Sequence, residues 1–394
     1  MVIASGYLAS AAEPTVVITP MVPFFHKWHM VNAHQMVDQT AAHAAGRIHF
    51  CITLQALLEE GSRIKSIGLY QEAGAGKSGN AFHPANEAIN AQLTQYLRVA
   101  FSRALHHRLD VSLLLHLNAH GEKQDWRNHF DFNPLQGGEN QSYRDAMIRP
   151  VLKAIAESLP ADWPVDLSLQ GEMGTTVFRY PDEWKSLLEE CRQSLGNSPR
   201  RRVGLSFNYN SVAGNAGQSC SREKLRQLWD KSDFIGISLY QGVSSSPKSS
   251  DFDYALGSFA GEFQGIGCPL PSQKPIHIVE IGMGGGGQSK DDWQPVIPAP
   301  TSAQALAAPY LGTDDTQKNP WRQPELAQAR RAYYGAFLAF ASVPRERHPI
   351  EAISLWSHGS WDVHGIEKSD FGDPSLVQQI RSYNQIAIKR RSEK

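Results

Sequence analysis

A chain of 394 residues with a formal net charge of -1, 20% charged and 41% hydrophobic residues can bury a large core and carries no surplus of either sign. That balance excludes a surface organised around nucleic acid or an acidic membrane, and the short basic runs at 199–202 and 389–391 read as solvated. No segment reaches the roughly 20 apolar residues of a membrane span, and the four cysteines lack the CxxC spacing of a zinc ribbon or a dithiol redox site.

Residues 1–12 close on small side chains, as a secretory cleavage region does, but lack a basic start and a full apolar stretch. They read as a precursor remnant or a frayed terminus, within an N-terminal tail over 1–14. From there, short β-branched runs bounded by turn residues recur at 15–19, 47–54, 110–117, 165–169, 202–207, 233–239, 276–279 and 352–356. Between them, 31–45, 84–107, 143–159, 180–195, 221–230 and 323–341 alternate apolar and charged faces with a helical period. Strand, helix, strand repeated eight times predicts an α/β fold of the (β/α)8 barrel type, treated as one catalytic domain over 15–394.

Two connections exceed ordinary length: 56–83 after the second strand and 284–321 after the seventh. Both are expected to overhang one mouth of the barrel, although 291–319, rich in Pro, Ala, Thr and Asp, reads alternatively as a disordered insertion. The stretch 71–78 imitates a phosphate loop, yet Gln71 stands where the first glycine is required, so it is expected to be an ordinary loop. The four glycines at 284–287 read as slack that lets the seventh loop leave the barrel.

Two glutamates stand out. Glu172 follows the fourth run and Glu280 the seventh, each just before glycine-containing turns, where parallel strands open into the loops that carry chemistry in barrel enzymes. Either one alone also reads as a charged strand end solvated at the rim. As a pair they suit glycosidic cleavage with retention, which needs one carboxyl to protonate the leaving oxygen and another, about 5–5.5 Å away, to capture the anomeric carbon.

An acid after strand four, an acid after strand seven and Trp356 at the end of strand eight resemble the clan A retaining glycoside hydrolases; the runs 233–240 and 279–283 look most like its endo-β-mannanase and endo-β-1,4-galactanase families. The resemblance spans roughly 16–365. It implies Glu172 as general acid/base, kept protonated by the charge of Glu280, and Glu280 as nucleophile. It further implies that Tyr240 donates its phenol proton to Glu280, that Trp356 floors the reacting subsite, and that the Trp356–Ser357 peptide is cis. The activity implied is a retaining, endo-acting hydrolase of a β-linked polysaccharide such as mannan, galactan or glucan, without a cofactor, and with transglycosylation as a close variant. One departure is plain: the clan carries Asn immediately before the acid/base, holding the sugar 2-hydroxyl, and this chain has Gly171. Asn118 and Asn208 are the candidates to replace it.

His116, Asn118 and His120 alternate at the end of strand three and share one face, as hydroxyl binders or as packed polar groups. His26 and His29, Trp126 and Arg127, and Asn208 and Asn210 are further candidates for sugar contacts from the loops. His116, His120, His26 and Glu172 can be drawn as metal ligands, but their spacing matches no zinc signature, so no metal is expected. Cys51 is expected to pack within a strand, while Cys191, Cys220 and Cys268 are free or paired. The partner expected is an oligo- or polysaccharide and the chain a monomer; the sequence does not fix a location, and such a substrate slightly favours a secreted or extracytoplasmic one. Two rival readings remain: a carbohydrate-binding barrel without catalysis, motivated by Gly171 and the large loops, and a lyase or aldolase barrel using the carboxylates with a divalent ion.

Overall fold

The computed structural model describes residues 14–24, 27–42, 46–72, 80–240, 243, 246–282, 324–356 and 372–393. Ten strands form one sheet: β1 (Ile18–Phe24), β2 (Arg47–Leu58), β3 (Ile64–Glu72), β4 (Asn80–Pro84), β5 (Asp110–His120), β6 (Val165–Gly171), β7 (Arg201–Asn208), β8 (Ile235–Leu239), β9 (Ile276–Ile281) and β10 (Ile350–Leu355). Eight are parallel and follow the order β1-β2-β5-β6-β7-β8-β9-β10, and β10 pairs back onto β1, so the barrel is closed. Helices at Glu87–His106, Arg149–Ser158, Pro181–Ser194, Arg222–Lys231, Ser249–Gly265, Pro324–Ala341 and Pro374–Ser392 surround it. None of the described helices is long and apolar enough to cross a membrane.

The strands are nearly continuous apolar runs because both faces are covered, the outer one by helices. Trp229, Phe207 and Phe263 pack edge-on between barrel and helices, with Phe178 tilted against Trp229, within one extensive core. A second, smaller apolar group, Met21, Cys51, Leu114, Val279 and Trp356, comes from strands β1, β2, β5 and β9 and the end of β10, and fills the interior beneath the mouth. Lower down, at the amino ends of the strands, the filling is charged. Asp166 accepts from Arg202 at 2.8 and 2.9 Å and pairs with Arg47 at 2.8 Å, and His277 stacks face to face on Phe234 with centroids 3.8 Å apart. Arg47, His277 and Arg202 together hold the Asp166 carboxyl far below its usual range in spite of its burial.

Several expectations change. The first strand begins at Ile18 rather than residue 15 and runs through Pro20 and Pro23, which the sequence offers as breakers. Pro20 lies where β1 finishes pairing with β10 and begins pairing with β2, and each proline removes one ladder donor. The supposed loop 56–83 is largely a hairpin: β2 runs on to Leu58, and β3 and β4 extend its edge antiparallel. Asn140 fastens it, accepting from Ile67 N–H and donating to the carbonyls of Ile67 and Ala85. All four cysteines are free thiols, Cys51 buried within β2 as expected. The tail 1–13, the glycines 284–287, the rest of the loop to 321 and most of 71–78 lie outside the described residues.

Candidate active site

Because the eight barrel strands are parallel, their carboxyl ends share one mouth, and the groups singled out from strands three to eight gather there. Two irregularities aim the glutamates. In β9, Ile278 is level with Ile237 and Glu280 with Ser238, so Val279 is an extra residue. Strict alternation would send Glu280 outward whenever Val279 faces the interior; the slip lets consecutive residues both face inward. In β6, Ser168 is level with Gly204 and Gly171 with Ser206, again one residue over. Glu172 then takes a left-handed backbone, φ 59°, with its N–H donating to the Ser206 carbonyl at 3.1 Å. A non-glycine residue in that region is under strain, which is found most often where a side chain is being placed.

Both carboxyl groups are buried, Glu172 4% and Glu280 2% exposed. Glu172 is held on both oxygens: Arg127 Nη1 donates to Oε2 at 2.6 Å and Asn208 Nδ2 to Oε1 at 2.8 Å. Arg127 is itself fixed, donating to Asn118 Oδ1 at 2.5 Å and to the Leu117 carbonyl at 3.2 Å. Glu280 Oε2 accepts from the Tyr240 hydroxyl at 3.0 Å, and its Oε1 lies 3.3 Å from His116 Nε2. Burial pushes the Glu280 carboxyl well above its usual range and the charge of Glu172 adds to this, while Arg127 and the Tyr240 hydrogen bond pull it back. Burial also keeps the His116 imidazole neutral and the Cys51 thiol protonated.

Gly171 has a clear local reason. A Cβ there would sit 2.3 Å from His116 Nε2, 2.4 Å from its Cδ2 and 2.7 Å from Leu114 Cδ1. The imidazole occupies the space that any side chain at 171 would need, so an asparagine at that position is sterically barred.

The structure thus brings together Glu172, Glu280, Tyr240, His116, Asn118, Asn208 and Arg127, with Trp356 buried in the apolar group below and its backbone N–H on the Ile281 carbonyl at 2.8 Å. Trp126 stands beside Arg127, 38% exposed, its ring edge-on to His129. Other candidates fall away from the pair. His120 stacks on Phe82 of the hairpin. Asn210 is exposed, left-handed at φ 66°, with its N–H held by Glu262, because β7 ends at Asn208 and the chain turns outward. His29 is buried on the short helix Lys27–Val31 after β1. His26 and Ser357, and with it the expected cis peptide, lie outside the described residues. Sequence reasoning missed Cys51 as a neighbour of the site; its place opposite Leu114 and two residues from Thr53, which is level with His116, needs the β2–β5 register to be known.

No protein-family model matches the chain, and no curated protein sequence matches it. Solved structures do. A complex of a GH113 β-1,4-mannanase superposes with a TM-score of 0.50 at 14% identity, covering 95% of this chain and 99% of the other. The GH113 β-mannanase AaManA from Alicyclobacillus acidocaldarius, in complex with ManMIm, gives 0.50 at 15% identity, covering 96% and 100%. At this identity the likeness is one of fold, over essentially the whole of each chain.

Proposed function

We propose that the protein is a retaining glycoside hydrolase that cleaves a β-linked polysaccharide of the mannan type, with Glu280 as nucleophile and Glu172 as general acid/base. The observation that carries this reading is the pair of buried glutamates at the carboxyl ends of β6 and β9, each re-aimed by a one-residue slip into the same mouth and close enough for the charge of one to act on the other. The likeness of fold to two β-mannanases supports the choice of substrate class.

Burial and the neighbouring Glu172 raise the Glu280 carboxyl well above its usual range, which favours a proton on Glu280. Chemistry needs the reverse. A sugar seated between them puts a developing positive charge at the anomeric carbon against Glu280, which favours its carboxylate, and a leaving oxygen against Glu172, which needs the proton. Glu280 then attacks, Glu172 protonates the departing sugar, and in the second half the Glu172 carboxylate takes a proton from the water that releases the glycosyl group. Tyr240 orients Glu280 throughout, and Asn208 orients Glu172.

The test is a panel of β-linked manno-, galacto- and gluco-oligosaccharides with product stereochemistry followed by NMR. Retention of configuration, with kcat lowered at least about 10^3-fold in Glu280→Ala, supports the reading; absence of turnover, or turnover undiminished in that variant, overturns it. The Arg127 guanidinium on Glu172 favours a second reading, a barrel that binds saccharide without cutting it. Calorimetric affinity for the same oligosaccharides without product formation selects that one.

A further inference from the structure

Behind Glu280 runs a chain of three side chains from three strands. Cys51 Sγ of β2 lies 3.3 Å from His116 Nδ1 of β5, and His116 Nε2 lies 3.3 Å from Glu280 Oε1 of β9. All three residues are at most 2% exposed. Among the described residues neither His116 Nε2 nor Glu280 Oε1 has a hydrogen-bond partner, and their mutual 3.3 Å approach does not meet hydrogen-bonding geometry. Gly171 leaves the ring the room to stand there.

A sulfur, a ring nitrogen and a carboxylate oxygen within 4.8 Å of one another are also a donor set for a soft metal. Within that group the two ring nitrogens have different neighbours, Nδ1 the sulfur and Nε2 the carboxylate, and only the Nδ1 contact has hydrogen-bonding geometry.

We propose that Cys51 is a positioning residue: its S–H donates to His116 Nδ1 and thereby fixes the imidazole proton on Nε2, the nitrogen 3.3 Å from Glu280 Oε1. A neutral imidazole has one N–H and one acceptor nitrogen, and the group facing one nitrogen decides which it is. Burial favours the neutral imidazole and the neutral thiol, so the thiol has a proton to give and the ring has a single proton to place. Glu280 then has a neutral donor at each oxygen, the Tyr240 O–H bonded to Oε2 and the His116 N–H near Oε1 without bonding to it. The groups facing Glu280 are these two, Glu172, Arg127 and Cys51, while His49 acts on His116 from the layer below. The consequence for Glu280 as nucleophile rests on the function proposed above; the tautomer itself does not.

Full-length protein labelled with 15N-histidine gives the tautomer directly from the ring-nitrogen shifts, His116 being assigned by the signal lost in His116→Gln. The wild type is expected to show His116 as the Nε2–H form at pH 7, Cys51→Ser to keep it, and Cys51→Val to admit the Nδ1–H form. A wild-type His116 that is Nδ1–H or doubly protonated overturns the proposal, as does a tautomer unmoved in Cys51→Val; should that variant fail to fold, the wild-type and Cys51→Ser spectra still decide. On a manno-oligosaccharide, the acid limb of kcat/KM is expected to move up by about half to one pH unit in Cys51→Val and to return in Cys51→Ser. The expected tautomer in a protein that cuts no sugar defeats the proposed function alone; sugar cleavage with the opposite tautomer defeats this inference alone.

Discussion

Adding one methyl group at Gly171 tests how the mouth is built. An ideal Cβ falls 2.3 Å from His116 Nε2 and 2.7 Å from Leu114 Cδ1, against an ordinary contact of about 3.4 Å, so the imidazole must retreat by roughly 1 Å and lose its register with Cys51 and Glu280. Over-packing of this kind costs about 1–3 kcal/mol and a lost buried hydrogen bond about 1 more, while replacing glycine returns up to about 1 through the unfolded chain. Gly171→Ala is therefore expected to lower stability by about 2–3 kcal/mol. His116→Ala alone leaves a buried void and costs about 2–4 kcal/mol. In the double variant the new methyl enters the space the ring vacated, so the combined loss should fall short of the sum by about 1–2 kcal/mol. Urea unfolding followed in parallel by tryptophan fluorescence and far-UV circular dichroism measures all four corners of the cycle, provided the two transitions coincide. Additivity within about 0.5 kcal/mol would refute the claim that the imidazole is what makes glycine necessary.

Glu280→Gln should change how stability depends on pH. A carboxyl raised by folding contributes its stability below the ordinary glutamate range and loses it as pH climbs through the raised value, so the melting temperature of Glu280→Gln relative to wild type should rise between pH 4 and pH 8; a pH-independent difference would contradict the burial argument. Arg127→Met leaves Glu172 buried without its cation and should cost about 3–5 kcal/mol in urea unfolding at pH 7. Asp166 is the opposite case. Its lowered carboxyl contributes stability above the ordinary aspartate range that is lost as pH falls, so Asp166→Asn should cost about 3 kcal/mol or more at neutral pH and progressively less towards pH 2, with kcat on oligosaccharide unchanged because the group lies at the far end of the barrel.

The barrel was legible because its strands are apolar runs of the right length between amphipathic helices, and that signal depends on neighbours in sequence alone. The hairpin of β3 and β4 was not: 64–72 and 80–84 mix polar and apolar residues, and their pairing is decided by the edge that an overlong β2 presents. The helix Ser249–Gly265 was masked by Gly257, Gly261 and Gly265, which lower helical propensity yet sit where no neighbour crowds them. The helix Pro374–Ser392 carries its signals openly, an Asp373 cap, proline in the first turn and buried Leu376, Ile380, Tyr383 and Ala387 at helical spacing. At the mouth, strand-end position was enough to single out the two glutamates, Tyr240, Asn208 and Arg127. What alternation could not supply was the pair of register slips, which belong to a strand's neighbours rather than to its own sequence. The Arg127 contact with Glu172 was out of reach for the same reason, since it joins residues 45 apart in the chain.

The left-handed backbone of Glu172 bears on how such a mouth arises and how it can be remodelled. At φ 59° the position suits glycine, and only there does the chain relax without moving. Glu172→Gly and Glu172→Ala remove the same carboxylate, yet only the first removes the torsional strain, so the glycine variant should unfold later in urea by about 1 kcal/mol. The strain that glycine would release is therefore the cost of presenting a carboxylate to Arg127 and Asn208 from this point of the backbone.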